Sequence, residues 1–154
     1  MLNLVVSLYQ QRLIYLHLSL FDTLKIEQST DCISAYDAEL RILIWNRACE
    51  EKYGISKQDA IDHHLLQLFP HIEHDYRVAC LRTCLREGQT FFFPNLPFLY
   101  GSGVYSQAIV PLHNEGREVI GTLNIVRDGE YPRIQKDHLL QPLKTTTRQL
   151  AAHR

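Results

Sequence analysis

From Asp31 onward the apolar residues of this 154-residue chain stop falling at helical intervals and begin to alternate. That change of period limits the architectures open to it. Before it, Leu2, Val6, Tyr9, Leu13, Leu16 and Leu20 follow one another at steps of four and three, the spacing of a coiled-coil seam. Leu4, Val5, Leu8, Ile14 and Leu18 widen the apolar surface beyond that seam, further than a helix in water can leave exposed. Segment 1–27 is therefore read as a helix that packs on its own domain and on a second copy, giving a homodimer. The alternative is an ordinary core helix of a monomer.

After the switch, Ile33 and Ala35 alternate with polar neighbours, Asp37-Ala-Glu-Leu40 makes a tight acidic turn, and Arg41 to Trp45 is rich in β-formers. This predicts a β-hairpin. Asn46 is placed to cap a helix over Arg47 to Tyr53, which Gly54 ends by tolerating positive φ. Ser56 starts another helix, and Leu65, Leu66, Leu68 and Phe69 form an apolar cluster stopped by Pro70. Tyr76 to Arg86 puts Val78, Leu81 and Leu85 on one helical face before Gly88. Three strand-like runs follow. Gln89 to Tyr100 contains Pro94 and Pro97 and is expected to be irregular or at an edge, Val104 to Leu112 comes next, and the Asn114-Glu-Gly-Arg turn leads into Glu118 to Val126. Two strands, a helical middle and three strands suit an α+β fold: an antiparallel sheet with helices on one face.

Composition closes off several classes of function. Hydrophobic residues make up 45% of the chain and charged residues 21%, so a real core is expected. The net charge is -1 and the basic residues are scattered, which argues against nucleic acid as a partner. Cys32, Cys49, Cys80 and Cys84 form no CxxC pair, and reduced thiols in a cytoplasmic protein are the expectation. Polar residues interrupt 1–24 too often for a membrane span, and no secretory cleavage pattern is present. No acid–base pair or activated nucleophile stands at a recognisable spacing, so catalysis is not expected and a small barrel enzyme is the weakest reading.

Several short motifs in the middle of the chain resemble the PAS family of sensory domains, over roughly residues 28–128. Asp37-x-x-Leu-x-Ile42 resembles the first hairpin and Trp45-Asn46-Arg-Ala-x-Glu50 the entry to the first helix. Tyr53-Gly54-Ile-Ser56-Lys-Gln-Asp is similar to a family turn, Leu68-Phe69-Pro70 follows in place, and Gly121-x-Leu-x-Ile-Val-Arg-Asp128 closes the domain. Asp62-His63 departs from the pattern, since many relatives carry Gly there. The resemblance implies a five-stranded antiparallel sheet flanked by short helices over 28–130, an N-terminal dimerisation helix over 1–27, and a C-terminal linker or helix over 131–154. It also implies signal sensing passed to a downstream output such as a sensor histidine kinase or a transcriptional regulator.

The chemistry used by relatives can be compared with these residues. The flavin–thiol motif requires a cysteine where His63-His-Leu-Leu-Gln-Leu-Phe-Pro70 stands, so that photochemistry is not expected. Haem is disfavoured because His74 lies about one turn before the expected ligand position, which Arg77 occupies. His71, His74, Cys80 and Cys84 are weak zinc candidates; surface histidines and core cysteines are the plainer reading. His138-Leu-Leu-Gln-Pro142 faintly resembles a phosphoacceptor box, but Asp137 holds the place of its histidine and the tail is read as a linker helix. The cofactor is thus unknown, and a pocket for a small organic ligand remains. With the family register at Pro111, Tyr105, Gln107 and Ile109 point inward, joined by Leu123 and Ile125, while Val104, Ala108 and Val110 form an apolar opposite face. The competing reading is a structural dimerisation module whose core is filled.

Overall fold

The computed structural model describes residues 20–98 and 101–130. Leu2, Val6, Tyr9, Leu13 and Leu16 of the expected dimer seam, and the tail 131–154, lie outside the described residues, and Leu20 opens the first described helix. The elements run α1 (Leu20–Gln28), β1 (Cys32–Asp37), β2 (Ile42–Trp45), α2 (Arg47–Tyr53), α3 (Lys57–Ala60), α4 (Leu65–Leu68), a 3-10 turn (Pro70–Ile72), α5 (Tyr76–Glu87), β3 (Phe91–Pro97), β4 (Val104–His113) and β5 (Val119–Asp128). All strand pairs are antiparallel in the order β2-β1-β5-β4-β3, so the first and last segments of the domain meet at the sheet centre.

Local chemistry explains the turns. Asp37 Oδ1 accepts from the backbone N–H groups of Glu39 and Arg41, each at 2.9 Å, which closes the β1–β2 hairpin. Asn114 Oδ1 does the same for Glu118 N at 2.9 Å between β4 and β5. Asn46, Ser56, His64 and Asp75 each cap the helix that follows them with a side-chain acceptor. Gly54 and Gly88 end α2 and α5 in the left-handed conformation. Asp62 adopts φ 72, so it takes on the conformation that glycine would supply in many relatives.

Strand β3 is at the sheet edge, and its register with β4 shifts between Phe93 and Leu96, around Pro94. A proline cannot donate to a ladder, and an edge strand tolerates that loss. The core centres on Trp45, 1% exposed, whose Nε1 donates to Ile55 O at 2.9 Å and whose ring packs on Tyr53 and Phe69. Truncating such a residue to alanine costs about 3–5 kcal/mol.

Candidate functional site

The ladder registers decide which side chains share a face, because residues directly opposite in an antiparallel pair project to the same side. Gln107 is opposite Val126, Ile109 opposite Asn124, and Asn124 opposite Ser34. Ser34 is in turn opposite Trp45, which packs on residues of the helical segment. Tyr105, Gln107 and Ile109 therefore project toward the helices, as do Ser34, Tyr36, Thr122 and Asn124. Leu123 pairs with Val110 and Ile125 with Ala108, which puts both on the opposite face. The expected group of five thus separates into an inner three and an outer two. A displacement of one residue along a strand moves a side chain to the other side, and the β4–β5 pairing sets that displacement.

The inner face carries a row of polar groups that crosses three strands. Gln107 Nε2 donates to Asn124 Oδ1 at 2.8 Å, Asn124 Nδ2 reaches Ser34 Oγ at 3.4 Å, and Ser34 Oγ lies 2.9 Å from the Tyr36 hydroxyl. Gln107, Ser34 and Tyr36 are buried, and burial pushes the Tyr36 phenol up to about 12. Among the described residues two buried side-chain atoms have no hydrogen-bond partner, Gln107 Oε1 and Thr122 Oγ1. An unpaired buried acceptor or hydroxyl costs about 1–3 kcal/mol, so this face retains capacity to bind a polar group. Asn124, Ser34, Tyr36 and Thr122 were not singled out from the sequence. Their signal was there: Thr122 and Asn124 alternate as polar residues inside an otherwise apolar strand.

At one end of this face, charged groups lie over aromatic rings. Arg77 Nη1 donates to the Tyr105 hydroxyl at 3.2 Å while its other nitrogens grip Asp75 at 2.8 and 2.6 Å. That pairing holds the Asp75 carboxyl below the usual carboxylate range. The Lys52 ammonium lies 5.2 Å from the Phe98 ring centre and 5.9 Å from that of Tyr105, and pairs with the Asp128 carboxylate. Tyr105 is thus half-buried and already engaged by Arg77, which occupies the inward position that the haem comparison assigned to it.

His71 and His74 are exposed, Cys80 is half-buried and Cys84 is fully buried with Val78 and Leu81. Among the described residues no three metal-ligating side chains converge. Burial raises the thiol of Cys80, and pushes that of Cys84 up to about 11, away from the thiolate that zinc requires. Among the described residues no helix is long and apolar enough to cross a membrane.

A five-stranded antiparallel sheet with short helices over a polar-striped inner face defines a small α+β domain. The sequence profile described as the PAS fold matches residues 26–129, more than half of the chain. The chain belongs to the PAS family. No curated protein matches it. Among solved structures it is similar to a sensory box sensor histidine kinase from Vibrio cholerae, at 18% identity over 80% of this chain and 99% of that one, with a TM-score of 0.58. It is also similar to the PAS domain of BvgS from Bordetella pertussis, at 17% identity over 84% and 96%, TM-score 0.59. A third similar structure is VqmA bound to DPO, at 14% identity over 71% and 57%, TM-score 0.58. At these identities the likeness is one of fold.

Proposed function

We propose that this chain is a sensory PAS domain that dimerises through its N-terminal segment 1–27. In this reading it relays a small-molecule or redox signal to a downstream output and catalyses no reaction itself. One observation carries the reading: the inner polar row from Gln107 to Tyr36 is buried, and it leaves Gln107 Oε1 and Thr122 Oγ1 unpartnered. A small polar ligand with hydrogen-bond donors would satisfy the Gln107 oxygen and recover the desolvation cost. The names of similar structures agree with the role, since they include sensor histidine kinase domains and VqmA bound to DPO. A cytoplasmic location belongs to the same proposal.

A second reading, a structural dimerisation module with a filled core, is favoured by the partners that the polar row already has. Gln107 Nε2, Asn124, Ser34 and Tyr36 satisfy one another in sequence. Haem sensing is less favoured, since His74 is exposed and Arg77 reaches Tyr105. Native mass spectrometry of freshly purified protein, with an absorption spectrum of the same sample, tests the proposal. A dimer carrying extra mass or a visible chromophore supports ligand sensing. A bare, colourless dimer favours the structural module, and a monomer removes the dimerisation reading.

A further inference from the structure

Cys32 and Cys49 are placed together by two elements that are distant in sequence, β1 and α2. Each thiol donates to a carbonyl beside the other cysteine: Cys32 Sγ to Ala48 O at 3.5 Å, and Cys49 Sγ to Ile33 O at 3.4 Å. This reciprocal exchange interleaves the two side chains, each sulfur lying against the backbone beside the other cysteine. Cys32 is the more accessible partner at 6% exposure against 1% for Cys49. The ordinary core role of a buried cysteine does not require this pairing.

We propose that Cys32 and Cys49 form a redox modification site, oxidised by hydrogen peroxide to an internal disulfide that ties β1 to α2. Cys32 Sγ attacks one peroxide oxygen, the O–O bond breaks, and the leaving hydroxide takes up a proton as water, giving a sulfenic acid on Cys32. Cys49 Sγ then attacks that sulfur, the S–O bond breaks, and hydroxide leaves with the Cys49 proton as a second water. Two thiols lose two electrons, and one peroxide gains them. The neighbouring Cys49 thiol, together with the Lys52 charge, lowers the Cys32 thiol, while the neighbouring Cys32 and burial raise Cys49. The less deeply buried Cys32 is the attacking thiol and the more deeply buried Cys49 the resolving one.

The structure also supplies a route outward. Cys49 N donates to Asn46 Oδ1 at 3.1 Å, and Asn46 Nδ2 donates to the carbonyls of Ile26 and Asp31. Drawing Cys49 toward Cys32 therefore bears on the end of α1. Use of the bond as a signal rests on the relay reading above; its formation does not.

The test treats the full chain with hydrogen peroxide, blocks free thiols with an alkylating reagent and maps the peptides without reduction. The expected result is a mass loss of two hydrogens and a Cys32–Cys49 cross-link, reversed by dithiothreitol and retained in a Cys80→Ser/Cys84→Ser double variant. Hydrogen exchange of the Leu20–Gln28 amides should change on oxidation. A cross-link involving Cys80 or Cys84, or alkylation of Cys32 and Cys49 that peroxide leaves unchanged, overturns the site. A Cys32–Cys49 cross-link with unaltered exchange in α1 upholds the site and overturns its link to the relay.

Discussion

The side chain of Asn46 and the backbone of Ile26 are joined by a hydrogen bond of 2.9 Å that spans 20 residues of chain. Asn46 also donates to Asp31 O at 2.8 Å and accepts from Ile33 N and Cys49 N, each at 3.1 Å. One fully buried amide thus fixes the end of α1, the start of β1 and the first turn of α2. It makes α1 part of the domain's frame rather than an appendage.

Asn46→Ala leaves two carbonyls and two N–H groups to find new partners in the interior. The expected loss is about 3 kcal/mol, more than a helix cap alone contributes. Asn46→Ser restores an acceptor for the cap but not the donors, and should recover about 1 kcal/mol of that loss. Urea denaturation of the three proteins checks the order. An Asn46→Ala protein as stable as the parent would mean that water replaces the amide and that α1 is held by something else.

Gly121 is opposite Asp37 in the β1–β5 ladder, and a Cβ there would lie 2.4 Å from Tyr36 O. No side-chain rotation relieves a clash with backbone, so Gly121→Ala must displace the central strands. Gly54, by contrast, has positive φ and meets nothing within 4 Å, so its replacement by alanine costs only the left-handed backbone, about 1–2 kcal/mol. Gly121→Ala is expected to shift the urea midpoint further than Gly54→Ala. The reverse order would show that β1 and β5 yield more easily than their register suggests.

Asn46, Gly54, Gly88 and the proline-marked edge strand were legible in the sequence because each acts through its own residue chemistry. Caps, terminators and breakers need no knowledge of what packs against them. The inner and outer faces of β5 were not legible in the same way. Leu123 and Ile125 look like pocket residues when β5 is read alone, since apolar side chains occupy both faces of a central strand. Only the pairing of Ile109 with Asn124 shows that the polar residues face the helices. The Cys32–Cys49 pairing was hidden for a related reason: 16 residues separate Cys49 from the Ile33 carbonyl it reaches, and two elements must fold first.

The polar row makes opposite predictions for two neighbouring hydroxyls. Ser34 Oγ contacts both the Tyr36 hydroxyl and the Asn124 amide, so Ser34→Ala should cost about 1–2 kcal/mol. Thr122 Oγ1 is fully buried without a partner, so the near-isosteric Thr122→Val should stabilise the ligand-free protein by about 1 kcal/mol. Thermal melts of both variants give the signs. A destabilised Thr122→Val would mean that the hydroxyl is occupied in solution, by a ligand or by bound water.

Asp75 gives the fold a defined acid sensitivity. Its carboxylate caps α5 through Arg77 N at 2.9 Å and grips the Arg77 guanidinium, with both side chains about three-quarters buried at 22% and 25% exposure. The hydrogen bond from Arg77 lowers the folded carboxyl below its ordinary value of 3.8. The unfolded chain therefore binds the proton more readily than the folded one. The stabilisation is fully present above the unfolded value, and it is lost as pH falls through the lower folded value. Asp75→Asn keeps an oxygen for the cap but removes the charge. It should cost about 1 kcal/mol at neutral pH, with the gap to the parent closing as pH falls through the lowered folded value. Urea midpoints measured at several pH values on both proteins follow that gap. A gap that persists unchanged into acid would locate the effect in the cap geometry rather than in the ion pair, and would release Arg77 from its role in holding Tyr105.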